Sequence, residues 1–172
     1  MQKPECFKGF VAQADEFGVK RNSGLFIQVV KVMGSMNKAT TDAKVVLYKS
    51  YGVRYLWVAR GDTSQVQEAS GEMGLVAPWC DQLLVLSHPY IRGFWTQCGW
   101  NSTMEGAFAG IPMLTLPIFF DQVLNSKQIV DDWKVGMRAK ESGNETMVKR
   151  EDIATTVQRF MDLDGDESKE MR

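Results

Sequence analysis

The 172-residue chain is poor in the residues on which much enzyme chemistry is built. It has one histidine, His88, and three cysteines, Cys6, Cys80 and Cys98. A single histidine excludes a multi-histidine metal centre, and leaves His88 as the sole candidate for any Ser–His–Asp or Cys–His unit. The cysteines are odd in number and form no CxxC or Cys/His spacing, so no disulfide framework and no metal site are expected. A reducing, cytoplasmic setting fits that usage best. No apolar run reaches the ~18–20 residues of a membrane helix. The opening MQKPECFKGF lacks a hydrophobic signal core, so secretion is not expected either. A basic excess is also missing. Lysine plus arginine is 20 against 21 acidic residues, a formal net charge of −1, which argues against a nucleic-acid partner. Neither GxGxxG nor a P-loop lysine motif occurs, so a phosphate ligand would need another kind of cradle.

What is present is an ordinary globular composition, 44% hydrophobic and 24% charged, long enough for one domain or one and a fraction. Leu25–Met33 (LFIQVVKVM) is β-like, and Gly34–Asp42 reads as a loop. Short apolar runs at Ala43–Tyr48, Val53–Ala59, Met73–Pro78, Ile91–Thr96 and Ile111–Leu116 read as strands, and Lys134–Lys140 allows another. Only Lys49–Gly52 separates the runs at 43–48 and 53–59. A parallel crossover needs about a dozen residues, so a hairpin is expected there unless one assignment is wrong. Residues 61–71 read as a polar connection. Helical patterns cover Asp81–Ser87, Asn101–Ala109 (ended by Gly110), Asp121–Trp133 (with Val123, Val130 and Trp133 as its apolar positions) and Glu151–Met161 (with Ile153, Val157, Phe160 and Met161 on one face). The acidic stretch Asp162–Glu167 reads as solvated. From about residue 70, strand and helix alternate, which predicts an α/β layer with a parallel sheet. Ligands of such sheets bind at the strands' carboxyl ends, so the segment after 91–96 is the first place to look.

That segment is Thr96-Gln97-Cys98-Gly99-Trp100-Asn101-Ser102. Gly99 would let backbone approach a ligand closely, and helix N-terminal amides there would favour an anion. A bland alternative stands beside this: Ser102-Thr103-Met104-Glu105 has the S-x-x-E form of a capping box, and on those four residues alone the cap is favoured. Likewise Trp79 and Trp100 could be core aromatics, Asp121 a helix cap, and His88 before Pro89 a satisfied turn histidine.

The wider spacing shifts the balance. Trp79-Cys80-Asp81-Gln82 opens and Phe119-Phe120-Asp121-Gln122 closes a window of 44 residues. Inside it lie His88-Pro89, Phe94, Thr96, Cys98-Gly99-Trp100-Asn101-Ser102, Glu105, Gly110-Ile111-Pro112 and Pro117. In identity and spacing this window resembles the signature box of the plant UDP-sugar-dependent glycosyltransferases, and the flanks YLWVARG and VGMR resemble the family too. The resemblance covers residues 43–48 and 53–172. It makes 43–172 an incomplete, Rossmann-like UDP-sugar-binding domain, similar to the C-terminal domain of a GT-B glycosyltransferase, and leaves 1–42 unassigned.

The resemblance implies an α/β fold with a parallel sheet and flanking helices, a UDP-sugar donor, and no metal or other cofactor. Trp79 would stack on uracil and the Cys80 backbone would read its edge. Gln82 and Glu105 would hold the ribose hydroxyls. Asn101 and Ser102, with Gly99 and the helix N-terminus, would hold phosphate, while Trp100, Asp121 and Gln122 would contact the sugar. A terminal glutamine of this kind is associated with glucose. The acceptor, a small lipophilic molecule, and the catalytic base would belong to an N-terminal half with no counterpart here. The expected reaction is an inverting hexosyl transfer to an acceptor hydroxyl. Two other readings stay open, a nucleotide-sugar binding module without turnover and a decayed, truncated product. The chain departs from the family pattern at residues 49–52, which stand where the family has a glycine–serine loop and a helix. It departs again at Gln97, where the family has a histidine on the diphosphate.

Gln97 can donate an N–H but can never carry positive charge. A charge-assisted hydrogen bond is worth about 1.5–3 kcal/mol and a neutral one about 0.5–1.5 kcal/mol. Gln97→His is therefore expected to tighten UDP binding several-fold, more at pH 6 than at pH 8, because only protonated histidine adds charge. Titration calorimetry at both pH values checks this, and equal affinities would place position 97 away from the diphosphate.

Overall fold

A computed structural model of the chain describes residues 25–28, 54–58, 64–77, 79–139, 150–162 and 165–171. They fall in two compact units, Met1–Arg92 and Gly93–Arg172.

The first unit is built on β2, Arg54–Val58, whose sequence RYLWV is rich in the aromatic and branched residues that suit a pleated, buried surface. Tyr55, Leu56 and Trp57 are 2% exposed or less, so the strand is covered on both faces, as parallel sheets require. Each such side chain stabilises the unit by about 1.5–3 kcal/mol. β2 pairs in parallel with β1, Leu25–Gln28, in the register Leu25↔Arg54 to Gln28↔Trp57. On its other edge it pairs in parallel with β3, Gly74–Ala77, from Tyr55↔Gly74 to Val58↔Ala77.

This corrects one sequence expectation. Both edges of β2 are taken, so the hairpin expected with the run at 43–48 has no edge to form on; residues 43–48 themselves lie outside the described residues. The connection from β1 to β2 is residues 29–53, long enough for a crossover. The strand that precedes β2 therefore comes from the β-like run Leu25–Met33, inside the stretch 1–42 that the resemblance leaves unassigned. The connection from β2 to β3 holds α1, Ser64–Ser70, and a 3-10 turn, Gly71–Met73. Residues 61–71 were expected to be a plain polar connection, and α1 is an addition. A parallel neighbour demands a crossover, but SQVQEAS carries almost no apolar stripe from which to read the helix. The unit closes with α2, Gln82–Leu86, capped by the Asp81 carboxylate, which accepts from Leu84 N at 3.1 Å.

β4 (Ile91–Thr96), which enters the second unit at Gly93, runs parallel to β5 (Met113–Thr115), and β5 to β6 (Gly136–Arg138), with Phe94↔Met113 and Met113↔Gly136 setting the register. Between them lie α3, Trp100–Phe108, and α4, Phe120–Lys127, which continues as a π turn, Gln128–Asp132. Gly110, at φ 65°, ends α3 in a Schellman motif: Gly110 N donates to Ala107 O and Ile111 N to Gly106 O, each at 3.1 Å. Phe94, Met113, Leu114 and Ile129 are fully buried. Beyond lie α5, Arg150–Met161, with Val157 and Phe160 inward as its periodicity predicts, and α6, Asp166–Glu170. The Ile153 side chain lies outside the described residues. Among the described residues no helix is long and apolar enough to cross a membrane. The elements realise the expected parallel α/β, Rossmann-like layering.

Gly136 is the tightest joint of the second unit. A Cβ there would collide with the Met113 carbonyl oxygen and lie 2.7 Å from Ile129 Cγ2. Backbone cannot swing aside as a side chain can, so Gly136→Ala should destabilise by about 2–3 kcal/mol. Urea unfolding checks this, with a midpoint within error of wild type as the contrary result.

Candidate functional site

β4 ends at Thr96 and the chain turns sharply before α3. The turn is made at Cys98, which takes a left-handed φ of 63°, uncommon for a residue with a Cβ. It is tied down on every side. Cys98 N donates to Thr96 Oγ1 at 3.0 Å, the buried Asn125 side chain donates through Nδ2 to Cys98 O at 2.8 Å, and the thiol is fully buried. The sequence reading gives Gly99 the part of letting backbone approach a ligand closely. Gly99 is extended at φ −61° and ψ 140°, and a Cβ there would meet nothing within 4 Å. Its role is open space: the absent side chain leaves clear the ground in front of the helix.

Gly99 is the N-cap of α3, and no side chain caps the helix. The first intrahelical bond is Thr103 N to Gly99 O, at 2.9 Å, so the amides of Trp100, Asn101 and Ser102 form the uncapped first turn. This removes the capping-box reading of Ser102 and Glu105. The helix begins two residues before Ser102, which therefore sits inside it. Asn101 is exposed, Ser102, Glu105 and Gln97 are half-buried, and Trp100 is 52% exposed. Trp79, in the first unit, is 54% exposed, whereas Trp57 and Trp95 are the core tryptophans. The core-aromatic reading of Trp79 and Trp100 is thereby overturned.

Asp121 and Gln122 open α4. Asp121 is not its cap, since Phe119 holds that position. The Asp121 carboxylate accepts from Asn125 Nδ2 at 3.3 Å, one helical turn on. Gln122 Oε1 accepts from Ile118 N at 2.9 Å and Phe119 N at 3.1 Å, one half of a capping box whose other half a phenyl ring cannot supply. Those bonds commit the amide oxygen to the backbone, and the donor capacity of the side chain lies at Nε2. Phe120 adopts a φ of 27° and is 92% exposed, a second strained residue at the same end of the unit. The inward face of α4 differs from that expected. Val123 is 56% exposed, and Asn125, Ser126 and Ile129 point inward instead. Ser126 Oγ donates to Thr115 Oγ1 at 2.8 Å, and Thr115 Oγ1 passes the chain on to Met137 O at 3.2 Å.

The remaining expected residues belong to the first unit. Cys80 is buried and Gln82 is the half-buried first residue of α2. His88 sits in its own turn, accepting from Tyr90 N at Nδ1 (3.4 Å) with its ring edge-on to Tyr90. The second unit also exposes an apolar stripe along α3, Trp100, Met104 and Phe108, together with Ile118, Phe119, Phe120, Val123 and Leu124. Among the described residues no cluster of three or more His, Cys, Asp or Glu is placed to hold a metal ion.

A family model described as UDP-glucoronosyl and UDP-glucosyl transferase matches residues 12–170. The chain belongs to this family. UDP-glycosyltransferase 87A2 of Arabidopsis thaliana is 50% identical over 140 residues, covering 80% of this chain and 31% of the relative. Flavonol 7-O-beta-glucosyltransferase UGT74F1 of the same plant is 36% identical over 160 residues, covering 89% and 35%. Among solved structures, Medicago truncatula UGT71G1 complexed with UDP-glucose superposes with a TM-score of 0.77 at 28% identity, over 95% of this chain and 37% of that one. Phytolacca americana UGT2, complexed with UDP-2fluoro-glucose and pterostilbene, gives 0.75 at 30% identity, over 99% and 38%. The chain thus spans about a third of the length of these relatives. The family match begins at residue 12, so the resemblance reaches back across most of the stretch 1–42.

In this glycosyltransferase fold the Cys98 thiol is a structural group, not a nucleophile. Burial, the largest influence, pushes it up from 9.0 to about 12, against smaller opposing effects of Ser126, the Leu116 backbone and Thr115. The native state therefore keeps a proton that the unfolded chain gives up, so the associated stability is whole below pH 9 and lost as pH rises towards about 12. At pH 8 iodoacetamide should modify Cys98 about 10³-fold more slowly in the folded chain than in urea, as read by peptide mass spectrometry. Cys98→Ala should remove one proton from the alkaline slope of stability. Equal alkylation rates would show that the turn opens freely.

Proposed function

We propose that the chain is the donor-binding part of a UDP-glycosyltransferase that moves a hexose, glucose by preference, from its UDP-sugar to a hydroxyl of a small lipophilic acceptor. The observation that carries this reading is the uncapped first turn of α3, faced by the empty Cβ position of Gly99. A helix start without a side-chain cap leaves the amides of its first turn open to a phosphate. Solved relatives complexed with UDP-glucose and with UDP-2fluoro-glucose support the same donor.

In this reading the amides of Trp100, Asn101 and Ser102 hold the diphosphate together with the Asn101 and Ser102 side chains. Gln97 contributes a neutral donor. Glu105 and Gln82 accept from the ribose hydroxyls, and the Cys80 backbone reads the base on which Trp79 stacks. Asp121 accepts from sugar hydroxyls and Gln122 donates to them through Nε2. The acceptor oxygen attacks the anomeric carbon with inversion, a base takes its proton, and the bond to UDP breaks. The protein's part at this end is to stabilise the departing diphosphate with dipoles already in place. No metal is needed for that electrostatic work, and the reading carries a cytoplasmic location with it.

One observation favours a second reading. His88, the sole histidine, is engaged in its own turn with Tyr90 and lies inside the donor box. The base must then come from another segment, and this chain by itself would bind nucleotide sugar without turning it over.

Calorimetry with UDP and UDP-glucose decides between these readings. Binding of both is expected. Trp79→Ala should weaken UDP by about 1–3 kcal/mol, roughly 5- to 150-fold, with no loss of folding because the ring is exposed. Binding without release of glucose to a phenolic acceptor supports the second reading. Absence of any heat at millimolar UDP sinks both.

A further inference from the structure

We propose that Asn125 is a positioning residue that locks the turn before α3 and the Asp121 carboxylate into one unit, so that the phosphate end and the sugar end of the donor site move together. The inference rests on the donor-binding reading above, to which it adds a residue outside the signature window.

Asn125 is buried, 8% exposed, on the inward face of α4. A primary amide has two N–H donors, and both of those on Nδ2 have partners: Cys98 O at 2.8 Å and Asp121 Oδ2 at 3.3 Å. The first bond satisfies the carbonyl of a left-handed residue that is fully buried. The second reaches back one helical turn to an exposed carboxylate that would otherwise sample several rotamers. One side chain thus spans the two features that the donor reading assigns to different parts of the ligand. Few residues can do this. Leucine fills the space but donates nothing. Aspartate fills it with the same shape but presents only acceptors, and it would face a carbonyl and a carboxylate.

This separates the proposal from a space-filling role. If Asn125 only packs, either variant loosens the whole second unit rather than the turn alone, since a cavity and a buried carboxylate are both costly. If it positions by donating two hydrogen bonds, Asn125→Asp is worse than Asn125→Ala. The test uses the full chain and two readouts. Alkylation of Cys98 under native conditions reports the turn, with Cys80 and amide exchange at Phe94 (bonded to Pro112 O at 3.0 Å) as controls for general loosening. The expected result is Cys98 labelling about tenfold faster in Asn125→Ala and faster still in Asn125→Asp, with both controls unchanged. Labelling unchanged at Cys98, raised equally at Cys98 and the controls, or faster in Ala than in Asp overturns the proposal. Calorimetry adds the second readout: affinity for UDP-glucose should fall about tenfold in Asn125→Ala and affinity for UDP by less. Equal losses for the two ligands contradict the link to Asp121. If wild type binds neither ligand, the donor reading fails, while the labelling order still decides whether Asn125 holds the turn.

Discussion

The parallel pairing of β4 with β5 is the constraint on which the site depends. It brings Thr96 and Thr115 to the same level, Thr96↔Thr115, and Leu116 N closes onto Thr96 O at 2.9 Å just beyond. Two chain segments therefore leave the sheet side by side in the same direction. One becomes the turn at Cys98 and α3, and the other becomes the loop 116–119 and α4. Everything assigned to the donor within the second unit follows one of these two exits. An antiparallel pair would have sent them to opposite ends, and no choice of side chains could have reunited them.

Much of this was legible in the sequence. β4, α3, β5, α4, β6 and α5 appear within a few residues of their expected places, because apolar runs, Gly110 and helical spacing are strong local signals. The 44-residue window identified the family from identities at fixed intervals. What local reading could not give was determined by tertiary contacts. The β-like run Leu25–Met33 holds β1, but only its pairing with β2 shows that these four residues supply the neighbouring strand. α1 has the composition of a loop and exists because a crossover must go somewhere. Residues 43–48 lie outside the described residues, and hydrophobicity by itself does not reveal which run takes which edge of β2.

The site shows the same division. The residue types were readable, but their conformations were not. Gly99 drew attention as a place where backbone can approach a ligand closely, but the left-handed residue of the turn is Cys98, held by Asn125 from far away in sequence. Asn125 and Ser126 looked like the polar side of α4 and turned out to face inward. Helical periodicity takes apolar residues for the buried face, and here a buried polar network under the turn takes their place.

The apolar stripe of α3 and the start of α4 has a consequence for the chain as a colloid. Side chains as large as Phe108 and Phe120 stand 81% and 92% in water, while the formal net charge is −1 and the isoelectric point is about 5.9. Long-range repulsion between copies is accordingly weak at neutral pH and vanishes in mild acid, just where short-range attraction between exposed rings is undiminished. Added salt gives no relief, since it screens the little repulsion there is and leaves the hydrophobic attraction in place. Among the described residues that apolar face is the main source of attraction between copies, and moderate alkalinity with dilute protein is the regime that opposes it.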